Sequence, residues 1–267
     1  MCNRIACGFG YVRSTHEYKV VRIHYLDEYY DEGNVEVCTL GSGCGWRAIG
    51  NTTYEVATMC GGTGTYASDA IYWTSYNFVV SFDLANEEFP LQSVPPPMEN
   101  RRYDDVMYEL VTLGGHLCLY VDDDLHVEIW ALMKSKDSKE TWRKEFDINY
   151  EAVEAADIGT DRRKLQPILL AKNREIICLY ADSVLYCYDT KTNFLKMISD
   201  DTSADYFEAV AAIAHVNTLV SLEAIGENSK RYTVRPRRAR TPWDDVIDEL
   251  DRVALGEEID ITRFRLR

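Results

Sequence analysis

The glycine-rich stretch Gly61-Gly62-Thr63-Gly64 comes nearest, of all segments in the chain, to the composition of a phosphate-binding loop. Such a loop ends in Gly-Lys-Ser/Thr and opens a helix, so that backbone amides and the lysine both reach the phosphate. Here the following residues, 66–73, have the β-prone pattern of a strand. The glycines are therefore predicted to form a turn between structural repeats, and no nucleotide or other cofactor is expected.

Thiols and imidazoles are the side chains that could bind a transition metal. The eight cysteines stand at positions 2, 7, 38, 44, 60, 118, 178 and 187, and the five histidines at 16, 24, 116, 126 and 215. They form no CxxC and no HExxH motif, so no zinc site is predicted. Several cysteines lie in apolar strand patterns such as HLCLY and IICLY, which indicates small core residues in a reducing compartment rather than disulfides.

Carboxylates are the remaining candidates for catalysis, and they fall at predicted turns between strands: Asp83, Asp122, Asp123, Asp124, Asp189, Asp200 and Asp201. An enzyme needs titratable groups that converge on one pocket. Aspartates at separate turns are expected to bond the turn backbone or to face water, and residues 122–124 in particular are predicted to form a solvated turn. No catalytic residue is therefore assigned.

Charge and hydropathy restrict the partners of this 267-residue chain. Its formal net charge of −15 disfavours nucleic acid and anionic membranes, and it favours solubility or a partner with a basic surface. No apolar run has the length of a membrane span, and residues 1–20 carry Arg4, Arg13, His16 and Lys19 where a signal peptide would be apolar. The protein is predicted to stay in the cytoplasm or nucleus.

A repeated strand pattern supplies the framework that positions these residues. Four strands align at residues 35–40, 79–84, 127–132 and 185–190, and an aromatic residue follows each of them: Trp46, Phe89, Trp142 and Phe194. The strand starts are 44, 48 and 58 residues apart, which matches propeller blades built from antiparallel meanders. The fold class is therefore predicted as all-β, a β-propeller-like array of about four antiparallel meander blades at residues 5–50, 53–94, 107–148 and 165–198.

Several details follow from this framework. Residues 66–73 and 78–84 are predicted as the central hairpin of the second blade, and residues 116–121, 127–132 and 142–148 as strands of the third. The turn at residues 188–193 repeats the chemistry of the turn at residues 82–86. Trp130 and Trp142 are expected to pack between blades, as an aromatic residue at each of four equivalent positions would.

The composition changes after Gly226. A basic run of Lys230, Arg231, Arg235, Arg237, Arg238 and Arg240 precedes Thr241-Pro242-Trp243-Asp244-Asp245, which reads as an N-capped start of an amphipathic helix. The run is interpreted as a solvated linker, with a nuclear address or an RNA contact as alternatives. The predicted organisation is a repeat domain at residues 1–225 and a charged tail with a short helix at residues 226–267.

An ordered series of motifs resembles the plant F-box-associated domain, a β-propeller-like module. The motifs are Gly8-Phe9-Gly10-Tyr11, residues 17–22, Ser81-Phe82-Asp83-Leu84, residues 115–119, Ile129-Trp130, Trp142 and residues 221–223. The resemblance implies that the domain binds the protein substrate of a cullin-based ubiquitin ligase and catalyses no reaction of its own. In that family a separate F-box docks on the ligase adaptor subunit. The alternative is a propeller enzyme, glycosidase-like or lyase-like, with its site in the central channel.

The sequence differs from the family pattern near its start. No F-box helix bundle precedes Cys7, and the usual early blade with a Gly-Leu-Leu-Cys-like strand is absent. A truncated member is therefore expected, in which ligase docking requires a supplied F-box. Its blades are expected to form an open arc with residues 215–223 at an edge; the alternative is that this strand turns back onto residues 7–11. No sequence feature identifies the substrate-binding residues or the bound protein.

Overall fold

The computed structural model describes residues 4–25, 32–56, 62–75, 78–90, 93–97, 107–123, 126–134, 140–150, 165–171, 173–180 and 184–200. Fifteen strands lie in these ranges, and they form four sheets. In every sheet the strands are neighbours in chain order, which is the meander connection predicted from the repeat.

The first sheet contains β1 (Arg4–Val12), β2 (Glu17–Tyr25), β3 (Gly33–Thr39) and β4 (Trp46–Thr52), all paired antiparallel. Apolar residues at every second position of β2 and β3 give each strand one buried face, as the period of two requires. A register shift at Val35/Glu36 interrupts the pairing of β3 with β4. β1 to β4 thus correspond to the first predicted blade, given as residues 5–50.

The second sheet contains β5 (Thr65–Ala67), β6 (Ala70–Thr74) and β7 (Val79–Asp83), and a bridge from Val79 to Ser93 extends it. The prediction of one strand over residues 66–73 was wrong. Ser68 and Asp69 both have positive φ, 49° and 65°, and they form a two-residue turn between β5 and β6. Such turns match the right-handed twist of the strands that they join, and Asp is one of the residues that tolerate positive φ.

The third sheet contains β8 (Met107–Leu113), β9 (His116–Asp122), β10 (His126–Lys134) and β11 (Glu140–Asn149). The fourth contains β12 (Leu165–Leu170), β13 (Glu175–Tyr180), β14 (Val184–Asp189) and β15 (Phe194–Asp200). The repeat predicted both meanders, and β10 and β14, which share its pattern, lie in separate sheets. Within the four predicted spans, the described residues form no helix.

The described residues divide into two compact units. The first unit holds residues up to 121 and 130–143, and the second holds residues 122–129 and 144–200. In the first unit, the second sheet packs on the inner face of the first, with a core of Val21, Ile23, Val35, Val37, Ile71, Trp73, Phe82 and Leu84.

Two glycines of β1 permit this close approach. A Cβ at Gly8 would lie 2.4 Å from Ile71 Cγ2, and a Cβ at Gly10 would lie 2.5 Å from Leu84 Cδ1. Alternate glycines put both gaps on one face of the strand, so side chains of the second sheet reach the backbone of the first.

The second and third sheets also pack together in the first unit. Trp142 contacts the cluster of Ala67, Tyr72, Val79 and Leu117, and also the cluster of Tyr108, Leu119 and Val121. The predicted packing of Trp142 is thereby confirmed, and both Trp142 and Trp130 are half-buried.

The four aromatic markers do not share one role, so that part of the prediction was wrong. Phe89 packs against the core shared by the first and second sheets, and its ring meets Phe82 edge-on with ring centroids 5.0 Å apart. In contrast, Trp46 is 42% exposed and Phe194 is 64% exposed. The period fixes where the strands begin, but the face on which each aromatic falls depends on local register.

In the second unit the core is formed by Ile168, Ile177, Leu179, Leu185 and Cys187. Asp122, predicted in a solvated turn, is 5% exposed and ends β9. Its carboxylate accepts hydrogen bonds from Tyr150 Oη at 2.6 Å and from the Leu165 backbone N–H at 3.0 Å. These donors come from residues far along the chain, which is why a local turn pattern misassigned the aspartate.

The cysteines follow the prediction only in part. Cys118, Cys178 and Cys187 are free and buried, whereas Cys7 and Cys44 are free and exposed. Cys7 lies on the outer face of β1 because it alternates with the buried Ala6 and Gly8.

Some predictions lie outside the described residues: the strand at 215–223 with its open-arc and closed alternatives, the basic run at 230–240 and the helix beginning near Thr241. In the described ranges, no helix has the length and apolar character needed to cross a membrane.

Candidate functional site

A row of apolar side chains crosses the outer face of the first sheet, the face opposite the second sheet. In the strand register Phe9 lies beside Val20, Val20 beside Cys38 and Cys38 beside Trp46. Phe9 is 52% exposed and Trp46 is 42% exposed, so large rings at both ends of the row face solvent. Exposed apolar clusters of this kind mark sites of interaction with other molecules.

Further aromatic rings extend the row along β1 and β2. Phe9 stacks on Tyr18 with ring centroids 5.7 Å apart and planes within 5°, and Tyr11 lies 4.8 Å from Tyr18. Tyr11 Oη and His16 Nδ1 form a hydrogen bond of 2.6 Å. We call this surface, formed by Phe9, Tyr11, Tyr18, Val20, Cys38 and Trp46, the outer aromatic face. Its mutual contacts hold the rings in place before any partner arrives.

A charged group borders the outer aromatic face. The guanidinium of Arg22 lies 3.9 Å from the ring centroid of Trp46, a cation–π contact, and Arg22 Nε donates to Glu36 Oε2 at 2.7 Å. This hydrogen bond lowers the pKa of the Glu36 carboxyl, which therefore remains charged at neutral pH. Trp, Tyr and Arg are the residues that most often dominate binding energy in protein interfaces.

A three-residue clamp fixes the first sheet to the turn that follows β7. Lys19 Nζ donates to the Leu84 carbonyl at 2.8 Å and to Glu87 Oε1 at 2.9 Å, and Arg47 Nη2 donates to Glu87 Oε2 at 2.6 Å. Burial alone would raise the pKa of Glu87, but the hydrogen bonds from Arg47 and Lys19 outweigh it and lower that pKa. The clamp holds the inner face in place and leaves the outer aromatic face uncovered by the second sheet.

A small cleft lies between the second sheet and β8. Its volume is about 120 Å³, and it is lined by Gly62, Thr63, Thr65, Tyr72, Trp73, Thr74, Tyr108, Glu109 and Leu110. Glu109 accepts a hydrogen bond from the hydroxyl of Tyr120, and Thr65 donates to the Leu110 carbonyl. Burial, with the charges of Glu140 and Asp83, raises the pKa of Tyr72 to about 12, so its phenol is neutral.

Three of the predicted turn aspartates, Asp83, Asp123 and Asp189, cap their own turns. Asp83 Oδ1 accepts hydrogen bonds from the backbone N–H groups of Ala85 and Asn86, and Asp189 Oδ1 accepts one from Lys191. Asp123 Oδ1 accepts one from the His126 N–H. Asp122 instead bonds a buried hydroxyl and a buried backbone N–H, and Asp200 lies at the end of β15 rather than in the predicted turn. Asp124 and Asp201 lie outside the described residues.

The glycine-rich stretch pairs with β1. The Cys7 N–H donates to the Gly62 carbonyl at 2.7 Å, and the Gly64 N–H donates to the Cys7 carbonyl at 2.6 Å. The Gly64 amide that a phosphate loop would present is thus engaged in strand pairing, which supports the structural interpretation of the sequence.

Sequence reasoning did not find the outer aromatic face. A signal was present, because β1 and β2 carry aromatic or aliphatic residues on both faces instead of strict alternation with polar ones. Such a pattern indicates that something besides solvent meets the second face.

Four meanders of antiparallel strands, with a second sheet packed on the first, define a β-propeller-like protein. Within that class the chain belongs to the F-box associated beta propeller domain family, whose model matches residues 2–219.

The relatives found are F-box proteins. F-box protein At3g07870 of Arabidopsis thaliana is 27% identical over 79% of this chain and 58% of its own length. F-box protein CPR1 of Arabidopsis thaliana is 26% identical over 53% of this chain and 40% of its own length. The chain thus spans about half the length of these curated relatives. A solved structure of HIRA, residues 644–1017, has a TM-score of 0.40 and 11% identity over 94% of this chain and 67% of that one.

Proposed function

We propose that this chain is a non-catalytic protein-binding module that recognises the substrate of a cullin-based ubiquitin ligase. Membership of the F-box associated family supports the class of function. The observation that carries the proposal is the outer aromatic face, where two large exposed rings and a stacked arginine lie on one rigid sheet.

The composition of the outer aromatic face suits protein recognition. Tyr and Trp give large contact areas at a small cost in side-chain entropy, and rings already stacked in the free protein lose little freedom on binding. Arg22 adds a charge that a partner can recognise. The absence of catalysis is part of the proposal, since the described aspartates of the turns are engaged by backbone donors.

The proposed division of labour follows the family. Residues 1–225 form the recognition domain and residues 226–267 a charged tail, while contact with the ligase adaptor requires an F-box. The proposed location is the cytoplasm or nucleus, and neither nucleic acid nor a membrane is a proposed partner, in keeping with the net charge of −15.

Affinity purification from plant extract tests the proposal, with this chain and with the chain fused to an intact F-box. We expect ligase subunits only with the fusion, and we expect a protein captured by both to be ubiquitinated by the ligase reconstituted with the fusion.

The double variant Phe9→Ser/Trp46→Ser should abolish that capture. Phe194→Ser, which removes a ring at least as exposed from the fourth sheet, is the matched control and should not. Unchanged capture by the double variant, or equal loss in Phe194→Ser, would contradict the role of the outer aromatic face.

A further inference from the structure

The cleft between the second sheet and β8 combines aromatic and hydroxyl-bearing walls with a single negative charge. Tyr72, Trp73, Tyr108 and Leu110 contribute aromatic and aliphatic surface, and three threonines contribute methyl and hydroxyl groups. Glu109 is the acidic lining residue, and none of the described lining residues is Lys, Arg or His.

The charge of Glu109 lacks a cationic partner among the described residues. Its Oε2 accepts the hydroxyl hydrogen of Tyr120, a neutral donor, and no described lysine or arginine bonds it. Glu140 and Asp83, which act on the phenol of Tyr72 at the same cleft, add further negative charge. A carboxylate that protein partly shields from water attracts a cation more strongly than one in open water does.

The size and lining of the cleft limit which cation fits. Its volume of about 120 Å³ is several times the roughly 30 Å³ that one water occupies in the liquid, so a group of side-chain size can enter. A bare divalent ion needs several oxygen ligands, and no group of three or more His, Cys, Asp or Glu residues that could hold a metal occurs in the described part of the chain. Lysine and arginine instead have an apolar stem that lies along aromatic walls and a charged end that reaches a carboxylate.

We propose that this cleft binds a lysine or arginine side chain of the recognised protein, with its stem against Tyr72, Trp73 and Tyr108 and its cation on Glu109. This inference rests on the proposed recognition function and adds the chemical class of the substrate: a protein segment that presents a basic side chain. The three aromatic residues are already buried, so the walls of the cleft are formed before the partner binds.

Titration of the full chain with short peptides tests the inference. The probes are Ala-Ala-Lys-Ala-Ala, its arginine analogue and its norleucine analogue, which keeps the stem and lacks the charge. Binding is followed by NMR on the Trp73 indole N–H and on the methyl groups of Thr65 and Thr74. We expect the two basic peptides to shift these signals and the norleucine peptide to leave them unchanged.

Variants separate charge recognition from structure. Glu109→Gln should lower the affinity for the lysine peptide about tenfold or more, which is the loss expected when a hydrogen bond to a charged group is removed. Glu88→Gln removes an exposed carboxylate outside the cleft and should leave affinity unchanged. Tyr120→Phe removes the donor to Glu109 but keeps its charge, so this variant should bind the lysine peptide at least as well as the native chain.

Several outcomes would overturn the inference: no binding of either basic peptide to the native chain, equal binding of the norleucine peptide, or unchanged affinity in Glu109→Gln. The failure of the proposed function is a separate result, since it is measured by protein capture with Phe9→Ser/Trp46→Ser. If protein capture depends on the outer aromatic face but Glu109→Gln binds the lysine peptide as well as the native chain does, only the proposed role of the cleft is rejected.

Discussion

At the scale of single residues, Lys19 shows most clearly how a charge is kept in the core. It occupies an inward position of β2 between buried neighbours and is only 6% exposed. A buried ammonium group is tolerated only when its donors are matched, and here Leu84 and Glu87 accept them. Glu87 in turn adopts a positive φ of 58°, a conformation that costs free energy for a residue other than glycine.

We expect Lys19→Met to destabilise the fold by about 2 kcal/mol, because the stem is kept while the Glu87 carboxylate and the Leu84 carbonyl lose a charged donor. Arg47→Met should cost less than about 1 kcal/mol, since that side chain is mostly exposed. Urea denaturation at neutral pH measures both values. Equal effects of the two substitutions would show that burial of the clamp is unimportant.

The same clamp should depend on pH. Because the pKa of Glu87 is lowered in the folded state, its contribution to stability is fully present above its unfolded pKa and is lost as pH falls through its folded pKa. The difference in unfolding free energy between native chain and Lys19→Met should therefore shrink on acidification below about pH 4. Denaturation curves recorded across this pH range measure the difference. If the difference does not depend on pH, the ionised Glu87 carboxylate does not contribute to the stability of the clamp.

At the scale of elements, one turn recurs in two sheets. In each case the residue four positions after the capping aspartate returns its N–H to the aspartate carbonyl: Glu87 to Asp83 at 2.8 Å and Asn193 to Asp189 at 2.9 Å. Glu87 and Asn193 also share a positive φ. The chemistry predicted to repeat at residues 82–86 and 188–193 is therefore confirmed in backbone conformation.

Packing of the first two sheets requires a gap at Gly8. We expect Gly8→Ala to destabilise by about 1–3 kcal/mol, because the added methyl group meets Ile71 Cγ2 at 2.4 Å. In the double variant Gly8→Ala/Ile71→Ala that overlap is removed, so the double variant should cost less than the sum of the two single changes. Thermal denaturation of all four proteins completes the cycle. Strict additivity would mean that the sheets do not meet at these residues.

Trp142 of β11 connects the clusters of the second and third sheets. Truncation by Trp142→Ala should cost about 3–5 kcal/mol, as expected for loss of a large core side chain. Trp46→Ala, at an exposed ring, should cost less than about 1 kcal/mol while it weakens partner binding. The same denaturation assay gives both values. A Trp142→Ala chain with native stability would reverse the assignment of Trp142 to the core.

At the scale of the whole molecule, the net charge of −15 and the acidic cleft act in the same direction. This negative charge would attract a basic partner over long distances. Salt weakens the attraction, because the Debye length falls from about 10 Å at 0.1 M to about 3 Å at 1 M.

Affinity for the captured partner should therefore fall as sodium chloride rises from about 0.1 M to about 1 M. Trp46→Ser should lower affinity at every salt concentration without changing this slope, because the lost contact is mainly apolar. Surface plasmon resonance across a salt series measures both quantities. A salt-independent affinity would argue against a basic partner and leave the aromatic contribution standing.

The sequence by itself determined the period, the four meanders and the turn chemistry. Alternation of apolar residues and capping by Asp83 and Asp189 are local properties, so neighbouring residues suffice to predict them. Trp142 was also placed correctly, although the same pattern placed Trp46 and Phe194 wrongly.

Only the tertiary structure decided which faces are covered and which charges meet. Lys19 and Glu87 are 68 positions apart, and Asp122 and Leu165 are 43 apart, so no local pattern could pair them. Trp46 and Trp142 occupy the same place in the repeat, yet one faces solvent and the other packs against two clusters. The difference arises because the burial of a sheet face depends on which sheet packs against it, and that packing joins residues distant in sequence.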